Sequence, residues 1–160
     1  MNNTTDDIAL EHMEIMASIM NEWCELVDNQ DDISKCFEIC NKRYMLLENT
    51  TNDAYDSIVK TNYNFKSIGE KKVTPIFYDM SKKLSMALLN MKVFEMFINK
   101  FDSFDFNMDS DELYSLKMNK YCLDYSDISN KLDECTNMLM NELNICLDCT
   151  ENMVYVGDDE

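Results

Sequence analysis

The sequence predicts an all-α fold, an elongated up-down bundle of about four helices with long, antiparallel, coiled-coil-like members. Three observations lead there. Only 2 Gly and 1 Pro occur in 160 residues, and there is no Asn-Gly or Asp-Gly pair, so the tight positive-φ turns of hairpins lack their usual residues. Apolar side chains recur every three or four positions along nearly the whole chain, the period of a helix face. The breaks between these runs are short, which makes consecutive helices antiparallel neighbours. Residues 1–156 are expected to form one domain and residues 157–160 an acidic tail.

The first helix is read from Ala9, Met13, Met16, Met20, Trp23 and Val27, a stripe in steps of four and three that leaves Glu11, Glu14, Glu22 and Glu25 to face elsewhere. Thr4 with Asp7 suits a capping box at its start. The run Asp28, Asn29, Gln30, Asp31, Asp32 breaks the pattern, and Asp31 or Asp32 is placed to cap the second helix. That helix follows Ile33, Phe37, Cys40, Tyr44, Leu47, Thr51, Ala54, Ile58, Thr61, Phe65 and Ile68 as far as Gly69. The helix is read as continuous, and residues Asn49 to Asp53, of poor helix propensity, are where a kink or break would fall.

Thr74 and Pro75 signal the start of the third helix, because proline at the first helical position presets φ where no N–H partner is needed. One seam runs through Phe77, Met80, Leu84, Ala87, Met91, Phe94, Ile98 and Phe101. A second, offset seam holds Met86, Leu89, Val93 and Met96, with Phe97 beside it. A helix with two apolar stripes packs on two sides, so it is either central to the domain or also meets another chain. The fourth helix opens at Asp109 with Glu112. Its heptad seam is Tyr114, Met118, Tyr121, Tyr125, Ile128, Leu132, Cys135, Leu139, Glu142, Cys146, Cys149 and Met153, a rod of roughly 60 Å. Helix one spans only half that length, which leaves a position for a helix of a second chain unless the longer helices bend and close a monomeric core.

With 31 Asp or Glu against 14 Lys or Arg, the formal charge is -17. Such a surface repels a phosphate backbone and anionic lipid, so neither nucleic acid nor membrane insertion is expected. Basic or apolar protein partners remain. No basic start followed by an apolar run occurs near the N-terminus, and no stretch holds eighteen apolar residues. Seven cysteines, an odd number, then read as free thiols in a reducing, cytoplasmic setting. High Asn and Met with the single Arg43 suit an AT-rich genome, such as that of a virus or a parasite.

Residue patterns for chemistry are incomplete. Asp105, Asn107, Asp109 and Asp111 fit the first positions of a calcium loop, but Ser110 stands where glycine is needed and Leu116 where a bidentate Glu is needed. Cys146 and Cys149 form a CxxC pair, and Cys24, Cys36 and Cys40 cluster in sequence near the other end of the bundle. Up-down topology separates the two sets, so no metal site and no cofactor are expected. His12 is the only histidine, there is no Glu-x-x-His motif, and Gly69 and Gly157 build no phosphate loop. No enzyme is expected. The 14 methionines are first explained as core filling, and next as an adaptable partner surface.

The functional expectation is a non-enzymatic protein–protein interaction or assembly module. It would bind a protein partner or itself through apolar faces of helices three and four, with Met86, Leu89, Val93, Met96 and Phe97 at the contact. Two alternatives stand beside it: a helix-groove regulatory protein of a virus or parasite that binds a host amphipathic helix in a Met-lined cleft, and a thiolate zinc-binding helical protein.

Overall fold

A computed structural model describes residues 2–61, 70–104 and 125–141. Every regular element among them is helical, and the helices pack as an up-down bundle. Helix α1 spans Asn2–Asp28, α2 spans Ile33–Tyr55 and continues into a π-helical turn at Asp56–Lys60, and α3 spans Glu70–Asp102. A fourth helix, α4, covers residues 125–141. The chain gathers into two compact units, one from Met1–Met45 with Met91–Lys117, the other from Leu46–Asn90 with Met118–Glu160. The expected tail 157–160 lies outside the described residues, as do the opening of helix four at Asp109 and Glu112 and the ends of its seam beyond 125–141.

In the first unit, α1 and α2 form a hairpin across residues 29–32. Asp32 caps α2 as its sequence suggests: its Oδ1 accepts from the Lys35 N–H at 3.2 Å, and its carbonyl takes the first helical bond from Cys36 at 3.0 Å. Asn29 closes α1 by donating its side-chain amide to the Glu25 carbonyl at 2.7 Å. At the other end the helix opens at Asn2, so Thr4 lies inside it and is not the capping residue.

The α2 and α3 segments of this unit run antiparallel. Phe37 meets Phe101 edge to face at 4.8 Å, and Tyr44 meets Phe94 at 5.6 Å. Between those pairs, the Cys40 thiol points at the Phe97 carbonyl. Trp23 brings α1 onto the same seam, edge to face with Phe97 at 5.4 Å. Ring pairs of this kind add about 0.5–1.5 kcal/mol each beyond their buried area. Within this unit helix α3 therefore packs against α1 through Phe97 and against α2 through Phe94 and Phe101.

The second unit is built from smaller side chains. Leu47, Thr51, Ala54 and Ile58 are buried along α2 and its π-turn, Met80, Leu84 and Ala87 along α3, and Ile128, Leu132, Cys135 and Leu139 along α4. The α4 residues are the central part of the heptad seam read from the sequence. Helix α2 runs unbroken through Asn49 to Asp53, the stretch of poor propensity where a kink or break would fall, and bonds at Thr50 help hold it. Thr50 Oγ1 donates back to the Leu46 carbonyl at 2.8 Å and accepts from the Asn90 amide at 3.2 Å, while Thr51 is fully buried. The irregularity comes a few residues later. There the Thr61 hydroxyl bonds the Asp56 carbonyl at 2.7 Å, five residues back, and the ladder widens to π spacing.

Helix α3 starts at Glu70, upstream of the expected start at Thr74 and Pro75, and so encloses Pro75. Glu70, Lys71 and Lys72 are good helix formers that extend the helix backward. The proline then sits where a backbone N–H would otherwise bond the Lys71 carbonyl. Pro75→Ala restores that donor and is expected to stabilise the protein by up to about 3 kcal/mol in chemical denaturation. A neutral or destabilising result would place the proline at the first helical position instead.

Candidate functional site

Helix α1 offers two apolar stripes one residue apart, and a one-residue offset is a rotation of about 100° around the helix. The sequence period puts Met16, Met20, Trp23 and Val27 inside, whereas the structure buries Ile19, Glu22 and Leu26, with Ile15 half-buried behind them. Only Trp23 and Val27 of the expected stripe keep partial cover. Met13, Met16 and Met20 are 68%, 51% and 63% exposed, and Leu10 beside them is 56% exposed. Ala9 and Ala17 complete an open apolar strip on the outer side of the helix.

A buried ion pair accounts for the rotation. Glu22, 7% exposed, meets the guanidinium of Arg43, 4% exposed, on α2. Lys42 reaches the other carboxylate oxygen at 3.0 Å from the solvent side. The guanidinium also lies over the Phe97 ring, 5.4 Å from its centroid, which adds a cation–π contact of about 0.5–2 kcal/mol. Burial alone pulls the Arg43 pKa below its usual range. Glu22 breaks the apolar pattern of the buried stripe, so a period search within α1 selects the methionines.

The acids of α1 lie along one edge of the exposed strip. At 100° per residue, Asp7, Glu11, Glu14 and Glu25 cluster on the side next to Leu10 and Ala17, and all four are exposed. Apart from His12, every charged side chain of α1 is acidic. Glu25 is partly offset by Lys35 at 3.4 Å. That pair belongs to a charged hollow of about 90 Å³ lined by Glu22, Glu25, Lys35, Glu38, Ile39 and Lys42. Lys35 also approaches Glu38 at 3.7 Å, so the two lysines and three acids of the hollow largely satisfy one another.

Of the described cysteines, Cys36, Cys40 and Cys135 are thiols held as small core residues. Burial pushes Cys36 up to about 11 and Cys40 up to about 12, with Asp32 and Cys36 respectively adding to the shift. Cys135 is raised to about 11, again mainly by burial. The Cys36 thiol donates to the Asn29 carbonyl at 3.2 Å, whereas Cys24 is exposed on α1. Protonated thiols of this kind are weak metal ligands and weak nucleophiles. Among the described residues no group of three or more His, Cys, Asp or Glu is placed to hold a metal ion. The Cys146–Cys149 pair and the calcium-like run from Asp105 to Leu116 lie outside the described residues.

The five contact residues expected on helix three are divided by the fold. Val93 and Phe97 are core residues of the first unit, Phe97 fully buried against Trp23, Arg43 and the Cys40 thiol. Met96, 49% exposed, is the open member of that unit. Met86 and Leu89 belong to the second unit and are half-buried. The α1 strip reads from the sequence first as core filling and next as a partner surface, and the signal for its exposure is the chain's single arginine, which needs a buried carboxylate partner.

No described helix is long and apolar enough to cross a membrane. Comparison with protein-family models, with curated proteins and with solved structures finds no match to this chain.

Removing either member of the Glu22–Arg43 pair leaves a buried charge uncompensated. Glu22→Ala or Arg43→Ala is expected to cost about 3–5 kcal/mol in denaturant melts. Because Arg43 Nε has no hydrogen-bond partner among the described residues, the pair is imperfectly satisfied. The joint replacement Glu22→Leu with Arg43→Met should recover most of that loss. Two single losses that simply add would contradict the pairing.

Proposed function

We propose that this protein is a non-enzymatic interaction or assembly module whose contact surface is the outer face of α1. The observation that carries the reading is the strip Leu10, Met13, Met16 and Met20, four large apolar side chains each more than half exposed on one face of a helix whose opposite face is packed. Scattered exposed apolar residues are normal, but a contiguous strip of this kind marks association. Methionine suits the role, since its flexible thioether adapts to irregular partner surfaces. The self-satisfied charges of the hollow and the raised thiol pKa values support a binding role over a catalytic one. The free cysteines Cys24, Cys36, Cys40 and Cys135 support a reducing compartment.

The test uses Met13→Gln, Met16→Gln and Met20→Gln together. Surface substitutions of this type should change stability by no more than about 0.5 kcal/mol. Native mass spectrometry of tagged protein from the cells that make it should then find the unaltered chain in a complex and the triple variant alone. Met140→Gln, at an exposed methionine of α4, serves as the control and should keep the complex. A triple variant that retains the complex would contradict the assignment to α1.

A further inference from the structure

We infer that the outer face of α1 receives an amphipathic helix of another protein, one that carries Lys or Arg along one edge of its apolar strip. The inference rests on the reading of that face as an association surface, and charge complementarity selects the occupant. From Leu10 to Met20 the strip rises about 15 Å, three turns of helix, and so matches anchors spaced i, i+3, i+4 and i+7 on a partner helix. Asp7 and Glu14 form an exposed acidic rail beside it, and α1 itself carries no Lys or Arg. A helix laid on the strip meets that rail, and Lys or Arg along its edge complements the acids.

A second copy of this chain is disfavoured by the same arrangement. Packing α1 on α1 antiparallel would set the two acidic rails on one side of the seam, and in either direction it brings together two chains of formal charge -17. Like charges set opposite one another cost affinity and slow encounter, whereas a basic edge gains on both counts. Because the methionines can repack, the apolar residues of the partner should be interchangeable, and discrimination should come from the charged edge.

The experiment labels the methionine methyl groups with ¹³C and follows them by NMR during titration of the full chain. The probes are three designed peptides of about 18 residues, long enough to hold a helix on contact. They share one leucine strip and differ only in Lys, Gln or Glu along its edge. The Lys peptide should shift the Met13, Met16 and Met20 signals and bind at least about tenfold more tightly than the Gln peptide. That advantage should collapse near 0.5 M salt, where the Debye length falls to about 4 Å. The Glu peptide should leave the signals in place. In the variant carrying Asp7→Lys and Glu14→Lys, at exposed positions, the order of the Lys and Glu peptides should reverse.

Equal binding of the Lys and Gln peptides would overturn the basic-edge proposal while leaving the strip as an association surface. Concentration-dependent shifts of the same three signals without peptide would replace the proposed partner by a second copy. Signals that respond neither to any peptide nor to concentration would sink the association reading itself.

Discussion

The carboxylate of Glu22 lies beneath α1 because the only arginine of the chain waits there on α2, and this pairing sets which side of α1 faces water. Two rotations of the helix are nearly equal in apolar terms. Turning it by one residue would bury Met16 and Met20 and uncover Ile19 and Leu26, exchanges of about 1.5–3 kcal/mol per side chain that roughly cancel. What does not cancel is Arg43. Left without its carboxylate against Phe97, a buried guanidinium would carry an uncompensated penalty of about 3–5 kcal/mol. Electrostatics therefore decides an orientation that hydrophobicity leaves open.

The consequence for function is a division of labour between the faces of one helix. The inner face is committed to Trp23, Leu26 and the ion pair, all of which meet elements of the same compact unit. The outer face keeps the flexible methionines, whose exposure adds nothing to stability and so is free to serve contact. An acidic rail along one edge keeps such a strip soluble and at the same time restricts what can lie on it.

Much of the architecture is legible in the residues because it depends on local chemistry. Asp32 caps α2 through its own carboxylate, and Ile128, Leu132, Cys135 and Leu139 recur at heptad spacing on α4 and are buried. Signals that depend on a distant partner are not legible in this way. Asn49 to Asp53 reads as a weak helical stretch, yet Asn90 reaches across from α3 to the Thr50 hydroxyl and the helix passes through unbroken. Val93 and Phe97 read as a free second stripe, yet Phe97 is the ring on which Trp23 and Arg43 converge. The largest difference, the face of α1, has the same origin: a single-helix period cannot register an arginine on the next helix.

The rotation of α1 can be measured directly by dilute peroxide oxidation of the native protein, with each methionine quantified by peptide mass spectrometry. If the Glu22–Arg43 pair sets the face as described, Met13, Met16 and Met20 should oxidise close to the rates of the unfolded chain, while the buried Met80 lags far behind. Met16 and Met20 protected as strongly as Met80 would show that α1 packs through its methionines, and the outward strip would not exist.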